Sequence, residues 1–195
     1  MLTTATITFI EAMRTQNPMI RHILNLETCI SIVAGYFYSI FVSKSSQDFQ
    51  WSEITPLRYL DWCITTPMML ISLCLALGMN SKVPLRFTTL VAILLLNYVM
   101  IGSGYMGEKE NRLHYDIIGY GAFFAMFYII YRAFVGTIMD NYVLFGAYLV
   151  VWGMYGVVYM MEDTVKNIAL NYLDLTAKCL IGLGLWAYYT KIVRV

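Results

Sequence analysis

An all-α membrane protein, a bundle of seven transmembrane helices with a short first helix, is the fold this sequence predicts. Of its 195 residues 59% are hydrophobic and 13% are charged, with a mean hydropathy of +0.64; soluble domains carry about 25% charge. Six apolar stretches of spanning length follow one another, at about residues 19 to 43, 54 to 79, 84 to 105, 115 to 135, 138 to 161 and 167 to 190. Each is near the roughly 20 residues a helix needs to cross a bilayer. A seventh stretch, at about residues 2 to 14, is apolar but short. It contains Glu11, has no basic run before it and no small-residue cleavage site, so it reads as part of the bundle and not as a signal peptide.

Turn signals separate the stretches: Asn17-Pro18, Ser43 to Asp48, Asn80-Ser81, Gly107 to Asn111, Gly136 and Glu162-Asp163. The linkers are short and there is no repeat or low-complexity run, so residues 1–195 are expected to form a single domain with no soluble appendage. Cys29, Cys63, Cys74 and Cys179 all fall inside spans and read as small apolar packing groups, neither a disulfide framework nor a metal site. With the N-terminus outside and seven crossings, Arg14, Arg21, Lys82, Arg86, Arg132, Lys191 and Arg194 lie inside. Lys44, Lys109, Arg112 and Lys166 lie outside. That positive-inside bias favours a cytoplasmic C-terminus and argues that the short first segment inserts. Six crossings would spoil it.

Lys178 stands in an apolar segment with Asp174 one turn before it. An ammonium in hydrocarbon costs several kcal/mol even on lenient scales, about 3 at the helix centre, so the lysine needs a partner and a function. A buried lysine is also the usual amine for a Schiff base with a carbonyl cofactor. A second stretch, Arg58-Tyr59-Leu60-Asp61-Trp62-Cys63-Ile64-Thr65-Thr66-Pro67, puts Arg58, Asp61 and Thr65 on one helical face. Each polar group alone is explained as an interhelical contact. One lysine, two aspartates and an arginine in one small bundle are not.

RYxDWxxTTP in the third helix with DxxxK in the seventh resembles the signature of the microbial rhodopsins, seven-helix proteins that carry retinal as a protonated Schiff base. The short loops and abbreviated first helix look most like the rhodopsins of large algal viruses. The resemblance implies all-trans retinal bound covalently to Lys178, Asp61 as primary counterion and proton acceptor, Asp174 as second counterion, and Arg58 as a gate, with Thr65 hydrogen-bonded to the Asp61 carboxylate. It implies a retinal pocket of Trp62, Thr66, Met69, Met100, Gly104, Met126, Phe145, Tyr148 and Trp152, with the two tryptophans sandwiching the polyene. Met69 implies a green-leaning pigment.

Departures from the family pattern bear on mechanism. Where outward proton pumps place a donor carboxylate, eleven residues after Asp61, this chain has Ser72. A serine hydroxyl cannot deliver a proton near neutral pH, so reprotonation from water or another acid, and a slow photocycle, are expected. Asn97 stands where many pumps have an aspartate and is expected to hydrogen-bond Thr66; Leu149 replaces a proline.

Two further acids, Glu11 and Glu27, lie in the first and second helices. Thr4, Thr8, Glu11 and Thr15 form one polar stripe and Glu27, Ser31 and Tyr38 another. Such stripes can line a cation path; the plainer reading has Glu11 snorkelling to the surface and Glu27 protonated or paired with Arg21 or His22. The expectation is a retinal-binding photoreceptor acting as a light-gated cation channel, with a slow light-driven outward proton pump or a photosensor as alternatives. It is not expected to be an enzyme or to bind nucleic acid. Its partners are the lipid bilayer and the transported cations or protons; it is expected to form a homo-oligomer and to reside, if viral, in a host-cell membrane.

Overall fold

Tertiary packing turns those apolar stretches into seven helices in chain order. The computed structural model describes residues 1–45 and 51–192; Asp48, named above in a turn signal, and Arg194, named in the charge placement, lie outside the described residues. The helices are α1 Leu2–Arg14, α2 Pro18–Ser45, α3 Trp51–Ser81, α4 Phe87–Gly107, α5 Arg112–Val135, α6 Met139–Tyr159 and α7 Asp163–Tyr189. All but α1 are long and apolar enough to cross a membrane. At 1.5 Å per residue α1 is only about 20 Å long, against a hydrocarbon core of about 30 Å. It nevertheless packs in the bundle, as expected: Thr8 Oγ1 lies 2.8 Å from Thr28 Oγ1 on α2, and Thr4, Thr8 and Ala12 are buried.

Local chemistry sets the helix ends. Pro18 begins α2, where its missing N–H is no loss, and Asn17 Oδ1 accepts from the N–H of Met19 at 2.9 Å. Asn111 caps α5 by accepting from the His114 N–H. Glu162 caps α7, accepting from the N–H groups of Thr164 and Val165, and those two donors hold its carboxyl below the usual carboxylate range. Gly136, at φ 60°, ends α5 in a conformation that suits glycine.

Lipid tails are as apolar as leucine, so helices in a bilayer are held by close packing and interhelical hydrogen bonds. The core joins α3, α5 and α6 through Leu70, Leu73, Leu77, Phe127, Phe134, Tyr148 and Trp152. Polar ties reinforce it. Pro67 removes the N–H that would pair with the Cys63 carbonyl, and Tyr98 Oη on α4 donates to that carbonyl at 3.3 Å. Asn97 Nδ2 donates to Thr66 Oγ1 at 2.9 Å, the α3–α4 pair the sequence predicts. Asn141, fully buried, donates to the carbonyls of Leu77 and Phe134 at 3.1 and 3.0 Å. The Leu77 carbonyl also takes the Ser81 hydroxyl at 2.8 Å, so Asn141 ties the end of α3 to the end of α5.

Candidate functional site

Lys178 lies in a π-helical stretch, Leu175–Leu180, inserted in α7. Widened turns of this kind recur at functional sites because they redirect a side chain and free backbone groups. Here the stretch carries Lys178, 1% exposed, into the bundle centre, where its Nζ is 2.5 Å from Asp61 Oδ2 and 3.5 Å from Asp174 Oδ1. The two motifs the sequence singles out therefore meet, although 117 residues separate Asp61 from Lys178.

The two carboxylates differ sharply in their surroundings. Asp174 Oδ1 accepts from Tyr155 Oη at 2.8 Å and Trp62 Nε1 at 3.1 Å, and its Oδ2 accepts from Tyr38 Oη at 2.8 Å. Arg58 Nη1 adds a charge 3.5 Å from Oδ2. Asp61 has Lys178 on Oδ2, and its Oδ1, though buried, has no hydrogen-bond partner among the described residues. Protonating Asp174 would disrupt several bonds. Protonating Asp61 disturbs one contact.

Arg58, 2% exposed, makes its shortest contact with Asn171, whose Oδ1 accepts from Nη2 at 2.8 Å. Phe41 lies under the guanidinium, 5.3 Å from ring centroid to Cζ. The expected bond from Thr65 to the Asp61 carboxylate is not the one formed. Thr65 Oγ1 donates to the backbone carbonyl of Asp61 at 2.8 Å, because a threonine in a helix reaches the carbonyl one turn back.

A cavity begins at Lys178 and Ala177 and runs between α3, α4, α5 and α6. It holds about 850 Å³ between atoms, its open mouth included. Of the residues named above for a retinal pocket, Trp62, Thr66, Met69, Met100, Gly104 and Trp152 line it. Met126, Phe145 and Tyr148 do not. They pack one layer behind, with Phe145 and Trp152 both against Phe127 at ring distances of 5.7 and 6.0 Å. Two glycines help shape the space: a Cβ on Gly104 would stand 3.0 Å from Tyr59 Oη, and one on Gly119 would stand 3.1 Å from Ser103 Oγ.

At the other side of Lys178, Ser72 Oγ donates to Glu27 Oε1 at 2.6 Å, both residues being buried. A carboxyl therefore reaches the Ser72 position from α2, where the sequence leaves water or another acid open as the source of a proton. Glu27 does not pair with Arg21, which donates to the Thr15 carbonyl at 2.8 Å. Glu11 is half-buried near the end of α1, where its backbone carbonyl accepts from the Thr15 N–H at 2.9 Å. The polar stripes of α1 and α2 pack together, and a Cβ on Gly182 would lie 3.0 Å from Glu27 Oε2 and 3.4 Å from Thr4 Cγ2.

Tyr38, Tyr155 and Asn171 escaped the motif reading as site residues. Asn171, Asp174 and Lys178 do recur at helical spacing on α7, so periodicity carries a signal for Asn171. Tyr155 offers no such signal, since its role depends on α6 packing against α7.

The sequence profile of bacteriorhodopsin-like proteins matches residues 1–192. The crystal structure of the viral rhodopsin OLPVRII superposes with a TM-score of 0.94 at 43% identity, covering 98% of this chain and 93% of that one. A blue light-absorbing proteorhodopsin from Med12 superposes at 0.77 with 21% identity, covering 98% and 92%, which is a likeness of fold alone. A bacteriorhodopsin of Haloterrigena sp. (strain arg-4) is 30% identical over 152 residues, 65% of this chain and 56% of its own. Opsin-1 of Neurospora crassa is 25% identical over 143 residues, 66% and 47%. The chain spans about half the length of the curated relatives it matches.

Proposed function

The chain belongs to the bacteriorhodopsin-like family, whose members bind retinal through a Schiff base, and from that premise we propose that it is a light-driven proton pump in which Asp61 accepts a proton and Glu27 returns one. The observation that carries this reading is the buried Ser72–Glu27 hydrogen bond.

The cavity suits the cofactor. Its wall is apolar and aromatic, it ends on a lysine amine, and the glycines at 104 and 119 leave room that side chains would fill. Trp62, Met69, Met100 and Trp152 would hold the polyene, with Lys178 Nζ as the point of attachment. Retinal bound there supplies a positive imine nitrogen and a light-driven change in the direction of its N–H bond.

The chain's own residues account for the proton movements. Asp174 keeps its charge, because Tyr38, Trp62, Tyr155 and Arg58 all bond to the ionised form. Asp61 Oδ2 takes the proton held at Lys178 Nζ, and its partnerless Oδ1 makes that the cheaper of the two protonations. Glu27 is buried, and among the described residues no cation lies within ion-pair distance of it. An uncompensated carboxylate there is costly, so Glu27 holds its proton and can deliver it past Ser72 toward Lys178. With the orientation that the charge bias predicts, protons leave on the Arg58 side and the net movement is outward.

The channel reading draws on a missing donor and on an open polar stripe. Glu27 supplies the donor, and Thr4, Thr8, Glu27 and Ser31 are packed away. Photocurrent in a voltage-clamped cell expressing the chain with retinal decides between them. Outward current across the whole voltage range supports the pump. Current that reverses at a potential set by sodium or potassium sinks it in favour of a channel, and no steady current in a bleachable protein favours a sensor.

A further inference from the structure

If Glu27 gives up a proton in each cycle, one must reach it from the end of the bundle that carries the α1–α2 turn. A dry layer stands in the way. Ile23, Ala76 and Leu185 are buried there, one helical turn beyond Glu27, Ser72 and Gly182, with Leu144 packed against them. In that layer the hydroxyl of Tyr189 is the polar side-chain group, its ring packed on the same apolar cluster.

The Tyr189 hydroxyl is buried and has no hydrogen-bond partner among the described residues, as have those of Ser31 and Tyr148. Orphaned hydroxyls cost free energy unless something bonds them, and such groups in proteins are usually served by ordered water. Ser31 stands one turn after Glu27 on α2 and Tyr189 packs on the layer one turn before it, so these orphaned hydroxyls point to a hydrated path beside Glu27.

On the outer side of the layer Tyr188 Oη donates to Asp140 Oδ2 at 2.6 Å, and its ring lies 5.2 Å from that of Tyr189. Asp140 is half-exposed at the start of α6. A carboxylate in contact with solvent, a tyrosine bonded to it and a neighbouring tyrosine facing the dry layer form a chain that ends near Glu27.

We propose that Tyr189 is the relay by which Glu27 regains its proton, with Asp140 and Tyr188 gathering that proton from solvent. The inference rests on the reading of Glu27 as donor. The step is balanced: the Tyr189 hydroxyl receives a proton from the Asp140 side, through water or Tyr188, as its own passes to the Glu27 carboxylate. The tyrosine is unchanged, and one proton has crossed the layer. Away from that event the layer of Ile23, Ala76 and Leu185 blocks leakage.

The test is flash spectroscopy on the retinal-loaded chain in lipid vesicles with a pH-sensitive dye. Tyr189→Phe keeps the ring and removes the relay. It is expected to leave the absorption maximum and the transfer to Asp61 unchanged, while slowing both proton uptake and recovery of the dark colour roughly ten-fold, as for the loss of one hydrogen-bonding group from a transfer path. Azide, a small weak acid that can carry protons through the layer, is expected to restore the rate; a slowed variant that azide does not restore is mispacked and overturns the relay. Asp140→Asn, outside the packed layer, is a second probe, expected to slow uptake roughly two-fold; unchanged uptake in both variants overturns the proposal. Glu27→Gln separates the two levels. If it leaves recovery unchanged, the donor reading has failed and the relay with it, whereas slow recovery in Glu27→Gln beside normal recovery in Tyr189→Phe rejects the relay alone.

Discussion

Ser72 on α3 donates its hydroxyl to Glu27 on α2 at 2.6 Å, with neither residue exposed to solvent. In the proposed pump the acid on this side of Lys178 is therefore carried by another helix, and the serine holds it in place. A donor supplied across an interface can be removed without touching α3, which makes its contribution measurable.

Glu27→Gln is isosteric and keeps an acceptor for Ser72, but has no proton to give. Recovery of the dark colour after a flash is expected to slow by about 10²-fold, the lower end of what a positioned acid contributes. Transfer to Asp61 should keep its rate. Equal recovery in variant and parent would mean that protons reach Lys178 by another route.

Lys178→Ala removes the amine on which retinal is proposed to attach, so the protein is expected to show no visible band after retinal is added. A retained band in the purified variant would refute covalent attachment at this position. The substitution also leaves Asp61 buried without its cation, and a lower expression yield is expected with it.

Asp61→Asn takes away the nearest negative charge to Lys178 Nζ. Removing a counterion stabilises the excited state of a charged imine relative to its ground state, so the absorption maximum is expected to move to longer wavelength. Asp174→Asn is expected to perturb the fold more, because three side-chain donors and Arg58 converge on that carboxylate. Identical spectra for Asp61→Asn and the parent would make Asp174 the dominant counterion.

Asn171→Leu leaves Arg58 with side-chain contacts no shorter than 3.5 Å to Tyr38 and Asp174. The loss of one charge-assisted hydrogen bond to a buried guanidinium is expected to cost about 2 kcal/mol. Thermal bleaching of the retinal-loaded protein would report it as a lower midpoint. An unaltered midpoint would show that the guanidinium finds a new acceptor at no cost.

Much of this molecule is legible in the chain alone. Spanning helices announce themselves because each must satisfy its own backbone and present an apolar surface for about 20 residues, and α2 to α7 lie within a few residues of where hydropathy puts them. Lys178, Asp61, Asp174 and Arg58 stand out for the same reason: ionisable groups are too costly in hydrocarbon to be there without partners. The periodicity of α3 even places Arg58 and Asp61 on one face, and the Thr66–Asn97 bond follows from matching polar groups on adjacent helices.

Tertiary structure decided what depends on the rotation of one helix against another. A helix seen in isolation does not say which neighbour its polar group will meet, so Glu27 reads as one end of a pore stripe until α2 is packed against α3 and its carboxyl lands on Ser72. The same holds for Tyr38, which the sequence places in the stripe with Glu27, and for Tyr155, an ordinary aromatic there; both become partners of Asp174 through helix contacts. Phe145 and Tyr148 fall behind the cavity wall because the turn of α6 that carries Trp152 is the one that faces the cavity. Helical periodicity and the cost of buried charge are local and leave their mark in the chain; a hydrogen bond between helices needs both axes placed to within an ångström, and only the packed bundle supplies that.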